Sequence, residues 1–501
     1  MSWYRPRRRA SRHREARPGP DPAATAAAAA PGWRIWAPAA VCFAAYAVLS
    51  VRRHQRLVTS GFDLGIFEQV VRSYAHGHLP VVALKGAGFQ ELGDHFSPVL
   101  ATLAPGYWLW PSPLLLLLAQ AALLAVAAVP LTRWARQTLG TGASWVVGLG
   151  YGASWGIASA VGFDFHEICF AVPLLAFSLT ALGQGRLGAA AAWALPLLLV
   201  KEDLGLTVAV IGAVIVRRGG RRLGLLTAAA GIAGSALEVL VVIPAFSPGG
   251  HYTYLDNLGS ANAGPPDLPG VLYQLTVGLA AAPYPKPLTL VLLVAPTAFL
   301  ALRSSLLLVA VPTLIWRFAS DDPLYWGMGA HYSAILMPIV FAALLDALAR
   351  RRPSPSDLRH LLVVVAGVTV VLLPQFPLFQ LAQPSAWRED PRIAGAHRIM
   401  DLIPDGATVA AANHLVPQLT DRATVTEFGL PAQPPPQWIV VDTETPQDWP
   451  VPGTQQPVLL DQARAGGYCT VADADGYLLL RRSGAATGPD LCPWPRVGVT
   501  P

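Results

Sequence analysis

Acidic, histidine and lysine side chains interrupt an otherwise apolar chain at a few points, and those points are where it can carry acid–base or phosphate chemistry. In the stretch Gly61-Phe62-Asp63-Leu64-Gly65-Ile66-Phe67-Glu68-Gln69, Asp63 stands among apolar and glycine residues, with Glu68 about a turn and a half further along the helix expected there. A partly desolvated carboxylate has a raised pKa and accepts a proton better than one in water. The same position also suits an N-cap, with Asp63 accepting from the free N–H groups of the following helix. Asp94 and His95 form a second cluster, Asp164, His166 and Glu167 a third, and Lys201-Glu202-Asp203 a fourth, each at the end of a different apolar run. Each also reads as a helix cap or an interfacial ion pair, most strongly Lys201-Glu202-Asp203, whose charges offset one another. For Asp164, His166 and Glu167 function and architecture weigh equally. Ionisable groups at membrane depth are costly, so four clusters on one face point to a polar cavity with a task.

The donors in these clusters suit a hard divalent ion, magnesium or manganese, held by carboxylates from several helices. No HExxH or CxxC spacing indicates zinc, and no Walker loop, Rossmann fingerprint or G-x-S-x-G elbow offers a seat for nucleotide or esterase chemistry.

The elements that must position these residues are membrane helices. The 501 residues are 53% hydrophobic and 13% charged, which excludes an ordinary soluble protein. The net charge of +6 comes from arginines between apolar runs, the pattern of cytoplasmic loops rather than of a nucleic-acid binder. Eleven candidate spans run over 33–51, 112–131, 143–161, 168–184, 187–200, 204–216, 223–243, 288–302, 304–318, 332–349 and 360–379. With residues 1–32 as a basic cytoplasmic tail, Arg133, Arg186, Arg217, Arg303 and Arg350 then all fall on the cytoplasmic side.

The expected fold is an all-α polytopic membrane domain over 33–383 with external loops at 52–111 and 244–287, followed over 384–501 by a small extracytoplasmic α/β or α+β domain. Within that last part, Ala407–Ala412, Trp438–Asp442 and Tyr477–Leu480 read as strands and Pro391–Leu402 as a helix. Cys469 and Cys492 can pair in an oxidising compartment, whereas Cys42 and Cys169 lie in or beside spans.

The FDLGIFEQ, GDHFSP, YW-x-x-PSP, FDFHE and KEDLG segments, in that order, with the turn Gly329-Ala330-His331-Tyr332, resemble the bacterial membrane proteins grouped as domain of unknown function 2079. The resemblance covers most of the chain and extends to an architecture similar to the GT-C glycosyltransferases, in which an acidic residue of the first external loop is essential and the donor is a lipid-phosphate sugar. It implies that Asp63 is the general base, that Asp94 and His95 support it or hold a metal, and that Lys201, His331 and Lys85 bind the donor phosphate. Asp164, His166, Glu167, Glu202 and Asp203 would line the substrate pocket. Because Leu64 rather than a second carboxylate follows Asp63, Glu68 and Asp94 remain rival bases. The implied partners are membrane lipid, a polyprenyl-phosphate-linked sugar and a glycan or protein acceptor. Two other readings stay open: a transporter or flippase, in which Glu238 inside a span or His166 would relay protons, and a non-catalytic membrane protein with an external binding domain.

Overall fold

The computed structural model describes residues 32–258, 268–282 and 284–483; the basic N-terminal tail and Cys492 lie outside them. The expected first span is helix α1, Ala37–Gln55, which continues past Val51 so that Arg52, Arg53 and His54 form its last turn. The segment after it is too polar to span. It folds as a π turn, Gly61–Gly65, leading into helix α2, Ile66–Ala75, and then a series of short turns. Helix α3, Pro113–Val126, starts where the Ser112 side chain accepts from Leu114 N–H and Pro113 supplies a preset φ.

Among the described residues three helices are long and apolar enough to cross a membrane: Pro113–Leu139, Arg221–Phe246 and Pro355–Gln375. Shorter apolar helices cover Glu167–Gly183, Leu187–Leu199, Leu204–Arg217 and Ser305–Ala319. Breaks in the helices fall beside the ionisable clusters. Helix α4, Trp155–Val161, stops before Asp164, which takes a left-handed φ of 65°, and α5, Ala171–Gly183, begins after Glu167.

Helices α6, Leu204–Arg217, and α7, Arg221–Leu237, form a tight hairpin. A Cβ on Gly212 would lie 2.6 Å from Gly224 O, and one on Gly205 2.3 Å from Gly231 O, so only glycine lets the two backbones meet. The hairpin brings Lys201-Glu202-Asp203, just before α6, beside the far end of α7, where the Ser235 hydroxyl donates to Glu202 O at 2.5 Å. Helix α8, Val311–Ala319, is followed by a turn-rich segment that leads into α9, Leu336–Arg351, which is buried at every residue from Leu336 to Asp346. By contrast α10, Pro355–Leu372, buries only Val365 and presents its remaining apolar surface outward, as a lipid-facing helix does.

Helix α11, Pro391–Met400, opens the tail, followed by strands β1, Thr408–Ala411, β2, Thr424–Glu427, and β3, Trp438–Asp442. Helix α12, Gln456–Ala465, then precedes β4, Tyr468–Ala474, and β5, Tyr477–Arg482. The sheet order is β2-β1-β3-β5-β4, with β1 parallel to both β2 and β3, and β5 antiparallel to β3 and β4. β3 is buried at all five residues, which explains its unbroken Trp-Ile-Val-Val run. The tail packs against the helical part through α2. Gln69 donates to Val425 O at 2.9 Å, and Arg72 donates to Thr420 O and Ala423 O at 2.8 and 2.9 Å.

Candidate functional site

Asp63 does not cap its own helix. The N–H groups of Gly61 and Phe62 both donate to the Asn413 side-chain oxygen, at 2.7 and 3.1 Å, and Gly61 N–H also reaches Asn413 O at 2.8 Å. A residue of the tail thus caps the turn, and the Asp63 carboxylate, half-buried, makes no hydrogen bond or ion pair among the described residues. Burial, with the nearby charges of Asp164 and Glu167, raises its pKa from 3.8 to about 8 against the opposing pull of Lys85 and Lys201. Gly61 is required here for space: a Cβ would come 2.5 Å from Glu427 Oε1 and 2.7 Å from Val416.

Around Asp63 the other clusters interlock. Lys85 donates to Glu91 at 2.8 Å and to Asp94 at 2.5 Å. Against the cost of burial, His95 and Lys85 hold the Asp94 carboxyl below the ordinary aspartate value. His95 Nδ1 lies 2.9 Å from Glu202 Oε1, which also accepts from the Tyr252 hydroxyl at 2.7 Å, while Phe96 N–H donates to Glu202 Oε2 at 3.1 Å. The His95 ring stacks on Tyr254 at 4.6 Å. Lys201 donates to Glu167 Oε1 at 2.8 Å, and His166 Nδ1 lies 2.6 Å from Glu167 Oε2. Asp63, Asp94 and His166, distant in sequence, all lie within the field of Lys201. His331 belongs to the same group, its ring stacked on that of His166 at 3.3 Å. Asp164 accepts from Ser60 N–H at 2.6 Å and so ties the third cluster to the Asp63 turn.

Glu68 is placed differently. It is fully buried, accepts from the Tyr107 hydroxyl at 3.0 Å and from the Thr420 hydroxyl, and joins α2 to the tail. Asp203 is half-buried at the N-terminus of α6, with one carboxylate oxygen lacking a hydrogen-bond partner.

Several positioning residues were not evident in the sequence. Gln120, inside the leucine-rich α3, donates to Asp164 O and accepts from His166 N–H at 3.0 Å, holding both ends of that turn. Fully buried Arg317 of α8 donates to Tyr325 O and Gly327 O at 2.8 Å and to Ser333 Oγ at 3.1 Å, fixing the loop that carries His331. The available signal was a lone polar residue inside an apolar run. Glu91 and Tyr252 carried no such signal, since both lie in loops.

Among the described residues no three His, Cys, Asp or Glu side chains are grouped so as to hold a metal ion. Asp94, Glu167 and Glu202 are each paired with a lysine or histidine. A resident magnesium or manganese ion therefore does not fit the described side chains.

An array of largely paired buried charges beside a carboxylate with no hydrogen bond or ion pair among the described residues, built from membrane helices and a docked sheet domain, offers a proton acceptor within the field of lysine cations. The fold is shared with ArnT from Cupriavidus metallidurans. The structure of that protein bound to undecaprenyl phosphate matches with a TM-score of 0.54 at 15% identity, covering 92% of this chain and 100% of that one. Its apo structure matches with a TM-score of 0.51 at 15% identity, covering 88% and 96%. At that identity the likeness establishes the fold alone. No curated protein matches the sequence. The family described as Predicted membrane protein (DUF2079) matches residues 53–479, and the chain belongs to it.

Proposed function

We propose that this protein is an integral membrane glycosyltransferase of GT-C type that transfers a sugar from a polyprenyl-phosphate donor to a glycan or protein acceptor at the outer face of the membrane. The observation that carries this reading is the unpaired Asp63 carboxylate beside Lys201, on a turn whose N–H groups are capped by Asn413. In the reaction the Asp63 carboxylate takes the proton of an acceptor hydroxyl as that oxygen bonds to the anomeric carbon. The bond from the anomeric carbon to the phosphate oxygen breaks, and its electron pair leaves on the polyprenyl phosphate. An ammonium has three N–H donors, and one from Lys201 is bound to Glu167, which leaves two for the developing phosphate charge. His331 Nδ1 is buried without a partner and supplies a second contact. Lys85, with donors on Glu91 and Asp94, acts mainly by holding Asp94 and the loop.

Membrane orientation is part of the proposal. The arginine-rich connections face the cytoplasm, the eleven segments cross the bilayer, and the ionisable cluster and sheet domain face outward. Cys469 is disulfide-bonded, which suits an oxidising compartment. The ArnT structure with bound undecaprenyl phosphate supports a lipid-phosphate ligand for this fold. The test is transfer from radiolabelled polyprenyl-phosphate sugars by membranes containing the wild-type protein or Asp63→Asn. Loss of transfer in a stably inserted variant is expected; wild-type transfer by that variant would remove Asp63 from the mechanism.

A transporter reading has one observation of its own. Glu238, buried where α7 loosens into a π turn, has an oxygen without a hydrogen-bond partner and lies in the field of Glu202 and Asp203. That reading requires proton flux in proteoliposomes that Glu238→Gln abolishes.

A further inference from the structure

The end of α9 remote from the ionisable cluster holds a different kind of site. His331 and Leu336 lie near the cluster, and the 16 residues of α9 carry the chain about 24 Å away before it ends at Arg351. There a groove of about 250 Å³ is lined by Leu300, Arg303, Ala347, Leu348, Arg350 and Arg351. Its floor is apolar and its rim carries three guanidinium groups.

The groove arises from an interruption in the helical path. Ala298 and Phe299 both adopt left-handed φ angles, 49° and 60°, which L residues avoid, and they turn the chain into the short 3-10 turn Leu300–Arg303. That turn is fastened to α9 by Asp346, which is buried, accepts from Ser304 Oγ at 2.5 Å, and pairs with Arg218 at 3.1 Å and with Arg350. Asp346 therefore accounts for Arg350 and Arg218. Arg303 and Arg351 are exposed and have no acidic partner among the described residues. Irregular backbone at membrane depth occurs where it is buried in protein or lines a cavity, and this one lines a cavity. Beside it Phe299 and Leu302 are exposed apolar side chains at 49% and 61%.

We propose that this groove binds the phosphate head of an anionic membrane lipid. Arg303 and Arg351 hold the phosphate, Leu300 and Leu348 meet the upper part of the chains, and the exposed Phe299 and Leu302 continue the apolar contact outward. The apolar floor selects a lipid-borne phosphate over a soluble one, because a hydrated free ion gains nothing from it. The site is independent of Asp63 chemistry and lies at the opposite end of the bundle.

The test is lipid retention by the delipidated full-length protein in neutral detergent, read by native mass spectrometry after addition of phosphatidylglycerol, phosphatidylcholine or inorganic phosphate. Phosphatidylglycerol is expected to be retained and the other two are not. R303A/R351A should weaken that retention about thirtyfold, whereas R221A/R222A, which removes two arginines from the start of α7, should leave it unchanged. Should the alanine pair fail to insert, Arg303→Gln and Arg351→Gln made singly provide the same readout. Equal loss from both arginine pairs, or inorganic phosphate bound as tightly as the lipid, would overturn the proposal.

Discussion

Half-buried Asp63 and fully buried Glu68 are five residues apart, and burial raises both pKa values to about 8, yet their surroundings are opposite. The Glu68 carboxylate is enclosed by Tyr107 and Thr420 and joins two parts of the molecule. The Asp63 carboxylate has no hydrogen bond or ion pair among the described residues and lies in the field of Lys85 and Lys201. The difference teaches that a raised pKa alone does not mark a catalytic group. What distinguishes the two is that the Glu68 lone pairs are already occupied, whereas those of Asp63 are open to a ligand.

The sharpest way to break this contrast is to remove each carboxylate in turn and compare transfer with stability. Asp63→Asn should lower transfer by about 10²-fold or more while leaving thermal unfolding in detergent near that of the wild type. Wild-type kcat/KM should rise with pH toward about 8, as the base loses its proton, and the variant's residual rate should be flat. A wild-type profile already level at pH 6 would show that Asp63 is not the base. Lys201→Met leaves Glu167 with His166 as its remaining side-chain partner among the described residues, so a destabilisation of about 3 kcal/mol together with loss of transfer is expected, measured by thermal unfolding and radiolabel transfer. Unchanged melting would mean that the Lys201–Glu167 pair is not formed in solution.

Glu68→Ala should show the reverse of Asp63→Asn. Loss of two buried hydrogen bonds predicts about 2 kcal/mol of destabilisation, visible as looser docking of the tail in limited proteolysis. Glu427 sharpens the comparison from the tail's side of the same interface. It is 1% exposed with both oxygens unpartnered, and burial raises its pKa from 4.5 to about 8. Between those values the folded protein keeps a proton that the unfolded chain releases, so its contribution to stability falls as pH rises from about 4.5 to 8. Glu427→Gln should therefore raise stability by about 2 kcal/mol at pH 8 and change little at pH 4; an equal effect at both pH values would contradict the burial account. The smallest effect is expected for Asn413→Ala, about 1 kcal/mol from the lost cap. It should reduce transfer, and Asn413→Asp should restore it, because the new carboxylate can still accept from Gly61 and Phe62.

The helical membrane part was legible because its signal is composition and length, as in Pro113–Leu139 and Pro355–Gln375. In the tail, the runs at 407–412 and 438–442 were recognisable from their β-branched and apolar content, and they became β1 and β3. β2 and β4 were missed. Thr424–Glu427 is a short edge strand with an exposed first residue, and Tyr468–Ala474 contains a bulge at Thr470 and Ala472 that breaks the alternation. Cys469 is disulfide-bonded, and Cys492, which the sequence offers as a partner for it, lies outside the described residues.

The sequence by itself determined that this is a membrane protein with ionisable groups at a few span ends, since hydropathy and the cost of burying charge act on local stretches of chain. Only the tertiary structure decided which of those groups meet. Asp63, Asp94 and His166 come within the field of Lys201 because close glycine contacts fix the α6–α7 hairpin and Gln120 and Arg317 fix the turns that carry Asp164, His166 and His331. Asn413, 350 residues after Asp63, takes over the capping that Asp63 could have supplied locally. Such long-range hydrogen bonds leave no periodicity in a sequence, because their spacing is set by the packing of distant elements rather than by the repeat of any one of them.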